Sequence, residues 1–301
     1  MFAKKSYSIP RLCLCLSVVA LLAGCSPRQL IVGNLADELA AQGQAAESDL
    51  ELARDAAPFY LKLSESVLRQ QPGHAALAES VAAGFTQYSY AFVAFEAERV
   101  EADDAKAAEH LRHRAAALYR RAHQHALEAL ERLHTGFLAA LRQADEALWP
   151  VLRHEEVGLV YWAAASWGGW ISLSKDDPDV VADLPLAVRL AELARRADPD
   201  WGGGATTSLR ATLEASRPGG DRKLAERWFD EAIARSGGRL PSPLLAKAEG
   251  IALPAGDRQG FEQLLNQALA LEVDSNSSQA LQTQVVRRRA AWLLEKSPDL
   301  F

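Results

Sequence analysis

Residues 157–174 read VGLVYWAAASWGGWISLS, 18 consecutive residues without a charge, holding three tryptophans, a tyrosine and a Gly-Gly pair. Such a run can be a membrane span, a core helix or a binding face, and the choice decides the fold. A span sets its tryptophans at the two interfaces. Here Trp162, Trp167 and Trp170 stand in the middle and C-terminal half, among Ser166, Gly168, Gly169 and Ser172. At about 100° per residue the indoles fall within a sector of roughly 140°, opposite an alanine-rich side. The pattern predicts a helix over about 155–173 of a folded body, packing closely on its small side and presenting indoles on the other. Core packing accounts for any one indole. The set predicts the wall of a groove or pore, with Tyr88, Tyr90, Phe92, Trp149 and Tyr161 facing it. Such walls suit an apolar or carboxylate-bearing solute.

Outward from that stretch, Ala, Leu, Glu and Arg dominate and no segment alternates as strands do, so the chain reads as all-α. Breakers such as Pro72-Gly73, Gly136, Pro150, Asp198-Pro199 and Pro218-Gly219-Gly220 divide it. Helices are expected over about 52–70, 75–99, 104–133, 186–197 and 279–295. Small or aromatic residues recur at +4 and +3, followed at +5 by a turn residue. Ala187, Ala191, Ala194 and Pro199 fit best, and Ala225, Phe229, Ala232 and Gly237 follow 38 residues later. Phe261, Leu265, Ala268; Ala122, Ala126, Ala129; and Tyr60, Ser64, Val67 fit more loosely. Positions i, i+4 and i+7 share a helix face, where small residues let a paired helix approach. The spacing predicts an α-solenoid-like bundle of degenerate tetratricopeptide-type (TPR) helix pairs.

Lys4, Lys5 and Arg11 precede an apolar run, Leu12–Ala23, which ends in Leu22-Ala23-Gly24-Cys25. This order resembles a lipoprotein signal, cut before a cysteine that takes the lipid. The expected organisation is a signal peptide over 1–24, a lipidated Cys25 with a tether over 25–50, and one helical domain over 51–301. Cys13 and Cys15 would leave with the signal, so no disulfide is expected. Ser26, rather than Asp, favours an outer-membrane over an inner-membrane destination by the family-level sorting rule. The expected location is therefore the periplasm, with membrane attachment through the N-terminal lipid alone.

The chain carries a formal net charge of −6, and removal of Lys4, Lys5 and Arg11 leaves 33 − 3 = 30 basic residues against 39 acidic. That balance argues against nucleic acid. His110, His113, His123 and His125 share one predicted helix, but His110 and His125 would lie about 22 Å apart, and no third ligand stands at fitting spacing. They read as a solvated face, with no metal and no cofactor. Arg112, Arg114, Arg120 and Arg121 make that helix locally basic, a weak docking signal. Lys175-Asp176-Asp177-Pro178 reads as a helix end and, more sharply, as a ligand or partner contact. Nucleophile elbow, P-loop and dinucleotide fingerprint are absent from the sequence, and no enzyme activity is expected.

Several blocks together resemble one family. They are Ala56-Ala57-Pro58-Phe59, GFTQYSYAFV over 84–93, SWGG over 166–169, ISLSKDDP over 171–178, VADLP over 181–185 and RRAAWLL over 288–294. The chain is similar to the T component of tetratricopeptide-repeat-associated TRAP transporters, the TatT family. The resemblance implies a non-catalytic periplasmic lipoprotein, homotrimeric, with a pore through each protomer. Its partner would be the solute-binding protein of a TRAP transporter, and its cargo a small organic ligand. Tyr88, Tyr90, Trp162, Trp167 and Trp170 are the expected pore lining. Gly202-Gly203-Gly204 departs from the usual entry to that repeat. The competing expectation is a TPR-type envelope-assembly scaffold that binds polypeptide.

Overall fold

The computed structural model describes residues 27–42, 47–272 and 274–301, with side chains from Val32 onward. The expected signal peptide and Cys25 lie outside the described residues. Every regular element among those described is helical. The helices are α1 (Pro27–Gln42), α2 (Leu50–Gln70), α3 (Ala75–Tyr88), α4 (Phe95–Val100), α5 (Ala105–Leu133), α6 (Phe137–Leu141), α7 (Val157–Ser172) and α8 (Pro178–Ala182). They continue as α9 (Leu184–Ala197), α10 (Trp201–Ser216), α11 (Arg222–Arg235), α12 (Ser242–Lys247), α13 (Arg258–Ala270) and α14 (Ala280–Leu300).

Aspartates set the starts. The side chains of Asp49, Asp104, Asp177, Asp221 and Asp257 each accept hydrogen bonds from backbone N–H groups in the first turn of the helix that follows. They satisfy donors that a helix cannot satisfy itself. Asp177 belongs to the Lys175-Asp176-Asp177 segment, all three of whose residues are exposed. The structure gives that segment this capping role.

The small-residue spacing does what its geometry demands. Ala187, Ala191, Ala194; Ala225, Phe229, Ala232; and Phe261, Leu265, Ala268 are all fully enclosed. Ala122, Ala126 and Ala129 face inward in the same way. The first core is built from α1, α2, α3, α5, α7 and α9, and α10 contributes Leu213 to it. Smaller cores lie under α10 and α11 and under α12 to α14.

The uncharged stretch is the centre of this arrangement. α7 packs against α3, α5, α9 and α10. Among the described residues no helix is long and apolar enough to cross a membrane. Gly169 explains half of the Gly-Gly pair. A Cβ there would stand 2.7 Å from the ring of Tyr119, so only a bare backbone lets that ring lie against α7.

Three expectations change. The segment read as a tether, 25–50, includes α1, whose Ala36 and Leu39 are buried against the first core. Its alanine-rich sequence has little amphipathic signal of its own, and tertiary packing orders it. The helix expected over 75–99 is interrupted by a π-helical segment, Ser89–Ala94, and a second one follows α12 at Ala248–Ala252. Gly202, Gly203 and Gly204, read as a loose repeat entry, form a left-handed turn with φ of 59°, 67° and 89°. Residues with a Cβ rarely adopt three such angles in succession.

Several charged side chains inside the fold are paired. Glu214, only 1% exposed, accepts from Arg210 at 2.9 Å, from Arg217 at 2.6 Å and from the backbone N–H of Asp221 at 2.8 Å. Burial alone would raise its pKa, and these donors pull it down to about 2. Glu214→Ala leaves Arg210 with Glu192 as its remaining acid and removes the partner of Arg217 and of the Asp221 backbone donor. It is expected to cost about 3–5 kcal/mol in urea unfolding, well beyond an ordinary surface change. A loss below about 1 kcal/mol would show that the network contributes little.

Candidate functional site

Between the first core and the C-terminal helix pairs lies a partly enclosed cavity of about 920 Å³. That volume matches a site for a small organic molecule. Its wall includes Leu52 and Tyr60 of α2, Ser80 of α3, Glu249 of the second π segment, and Leu281 and Val285 of α14. Both π segments contribute to the wall, the first through Tyr90, Ala91 and Phe92. Such segments redirect side chains and free backbone groups, and they recur at functional sites.

α7 forms one side, but with a face other than the expected one. Its cavity-facing residues are Tyr161, Trp162, Ala165, Gly168, Gly169 and Ser172. This is the small side of the helix, with Trp162 at its margin. Trp167 and Trp170 are not in the cavity wall; they turn toward α5. The Trp167 ring, 2% exposed, lies 4.2 Å from that of His123, and Trp170 lies 6.2 Å from it. The expectation that all three indoles share a lining face is therefore corrected. A sector of roughly 140° is wide enough to serve two neighbours, and the bulky part of it fills the core. Tyr88, Tyr90 and Trp162 line the cavity, as does Tyr161. Trp149, expected opposite, instead lies beneath Arg189 and Arg196, its N–H donating to the Gln143 carbonyl at 3.1 Å.

Sequence reasoning missed much of the wall. Gly202–Gly204, Ser208, Thr212 and Leu245 bear no motif that marks a lining. The glycine triplet was the available signal, since consecutive glycines allow a turn that side chains would obstruct. A Cβ on Gly203 would press to 2.7 Å from Leu240.

The wall is apolar with scattered hydroxyls. Burial raises Tyr161 to about 12 and lifts Tyr90 above its ordinary value, so both stay protonated as donors. Behind Glu249 sits Arg289. Its guanidinium, on a residue 8% exposed, donates to Glu249 at 2.7 and 3.0 Å and to Glu98 at 3.1 Å. Arg288 lies over the rings of Phe92 and Phe95 and donates to the Ala91 carbonyl.

The histidine helix divides by face. His110 and His113 are exposed on α5. His123 is buried and His125 bonds Glu65 at 2.9 Å, so the reading of all four as a solvated face is corrected. His123 falls on the same side as Ala116, Tyr119 and Ala126, which the helix turns inward. Burial pushes it down to about 4 and keeps it neutral. Arg112 pairs with Glu101 and Arg121 with Glu65, leaving part of the expected basic surface neutralised. Among the described residues no cluster could hold a metal ion.

The structure is a helix-pair scaffold with a cavity of the volume usual for a small-molecule site between its layers. Residues 46–301 match the TRAP transporter T-component family. The chain belongs to that family, and so to the accessory components of TRAP transport. It is also similar to an uncharacterized protein of Treponema pallidum (strain Nichols), at 27% identity over 320 residues, covering 99% of each chain.

Glu79, on α3 beside Ser80, has no ion pair or hydrogen bond among the described residues. Burial raises it to about 7, and its carboxylate fits only because residue 158 of α7 is glycine. Folding therefore takes up a proton at this group, whose stabilising contribution is full below pH 4.5 and lost as pH rises through about 7. His123 has the opposite slope between about 4 and 6.5. Comparing Glu79→Gln with the parent protein isolates the first effect. The variant should match the parent near pH 5 and exceed it by up to about 3 kcal/mol at pH 8. An equal difference at both pH values would remove the raised pKa from the account.

Proposed function

We propose that this chain is a non-catalytic, lipid-anchored periplasmic accessory of a TRAP-type transporter. It docks the transporter's solute-binding protein and passes a small organic ligand through the cavity beside α7. The observation that carries the reading is the cavity itself. It is walled by α2, α3, α14, both π segments and the small side of the central helix. Family membership supplies the transport context. Lipidation at Cys25 and assembly as a homotrimer belong to the same reading and rest on the sequence and the family resemblance.

Passage needs smooth walls and weak, repeated contacts more than a tight pocket. Alanine and glycine along α7 and α10 leave width. Tyr88, Tyr90, Trp162 and Tyr161 offer flat faces that hold an apolar body without fixing it.

The test is to cross-link the full-length lipoprotein mildly in its native bacterium, recover it and identify what travels with it by mass spectrometry. A periplasmic solute-binding protein among the partners is the expected result. Recovery of outer-membrane assembly proteins without one would sink the transport reading. Ala165→Trp together with Ser208→Trp, which fill the cavity from two sides, should leave that partner bound and abolish uptake of the transporter's solute. Unchanged uptake would exclude passage through the cavity.

A further inference from the structure

Outside the site already described, a cavity of about 220 Å³ lies where the end of α2, its turn into α3 and the last turns of α5 meet. Arg69, His125, Glu128 and Arg132 are its polar members, and the rest of its wall is apolar. Arg69 and His125 also border Glu65, which is 3% exposed. That carboxylate accepts two hydrogen bonds from Arg121 and one each from Lys62 and His125, and Arg69 stands 3.4 Å from it. Burial alone would raise its pKa, but these donors hold it well below the usual carboxylate range. Glu65 therefore stays ionised, and its single charge cancels one of three permanent cations.

Arg132 adds a fourth cation. Among the described residues no acid lies within ion-pair reach of it, and its hydrogen bond is a long one, 3.5 Å, to the Glu128 carbonyl. The Glu128 carboxylate, itself outside any ion pair among the described residues, subtracts one charge. The next acid along α5, Glu131, is engaged by the backbone N–H groups of Gly136, Phe137 and Leu138. Four cations against Glu65 and Glu128 leave an excess of two positive charges, on a chain whose formal net charge is −6. Like charges crowded in this way repel, and an anion relieves the repulsion. Arg69 and Arg132 stand on different helices, both are exposed, and both have N–H groups to spare. The guanidinium fork matches the spacing of phosphate oxygens, and an excess of two charges suits a dianion better than a single carboxylate.

We infer that this cavity is a binding site for a dianionic phosphate group, inorganic or esterified, held between Arg69 of α2 and Arg132 of α5. The inference goes beyond the transport reading and stands apart from passage through the larger cavity. It also relocates the basic surface that the sequence placed on α5 alone. Arg121 is consumed by Glu65, the free donors on α5 belong to Arg132, and α2 supplies the opposing cation.

The test uses the full chain with Cys25→Ser, so that no acyl group enters the assay, and isothermal titration calorimetry at pH 8 with inorganic phosphate and, separately, acetate. Phosphate should bind saturably, at least about tenfold more tightly than acetate. Arg69→Gln and Arg132→Gln, both at exposed side chains, should each weaken phosphate about tenfold, and Glu128→Gln, which removes the opposing charge, should strengthen it several-fold. No saturable binding of phosphate, or binding unchanged by Arg69→Gln and Arg132→Gln together, would overturn the site. Acetate held as tightly as phosphate would overturn the dianion assignment. Sedimentation with phosphatidylcholine vesicles that carry phosphatidic acid separates the two sources of the group. Capture that free phosphate competes away and the double variant loses supports the site and assigns a lipid headgroup. Phosphate binding without capture supports the site and assigns a soluble phosphate.

Discussion

A chain of helix pairs touches mainly its neighbours, and nothing in that geometry closes it around a space. Here the closure is made by the return of α14 to the first half of the molecule. Arg289 reaches Glu98 and Arg288 reaches the Ala91 carbonyl, contacts that span more than 190 residues of sequence. Trp292 adds an edge-to-face contact with Phe95, centroids 5.4 Å apart. The buried guanidinium has to be paired, because its desolvation would otherwise exceed any gain. Two acids from different parts of the chain pair it, and that requirement fixes α14 relative to α4 and the second π segment. The cavity is what remains between the parts so joined.

The central helix shows the same logic at smaller scale. α7 must be buried on nearly all sides, yet it borders a space. It satisfies both demands by dividing its surface. Trp167 and Ile171 fill the core, while Ala165, Gly168 and Gly169 border the cavity. Small residues on that border give little area to water, so the open side costs less than a wall of exposed leucines would. Tyr119 crosses from α5 to reach the cavity over Gly169, so the bare backbone admits an aromatic wall from a neighbouring element.

Much of this was legible before any coordinates. The repeat spacing named the buried positions of α9, α11 and α13, since small residues at i, i+4 and i+7 have few uses other than close helix contact. The aspartate caps went unread, although one residue and its own backbone decide them. The face of α7 that lines the cavity was not readable. Alanine and glycine permit a neighbour to approach, and they equally permit a void; which occurs depends on what the rest of the chain places there. Nor could the π segments be read, because an extra residue in a helical turn leaves no change of composition in GFTQYSYAFV.

The Arg289 network marks the limit of sequence reading most clearly. Three consecutive arginines, Arg287 to Arg289, give no hint of their partners in the sequence, since the acids that neutralise Arg289 lie 40 and 191 residues away. Once those acids are seen, Arg289 no longer counts as a free charge beside the cavity. The site sits beside two buried-side cations, yet its wall presents carboxylates and hydroxyls. Charge counted along the sequence therefore says little about the ligand. Charge counted at the wall, after internal pairs are removed, is the quantity a solute experiences, and Glu249 drops out of that count together with Arg289.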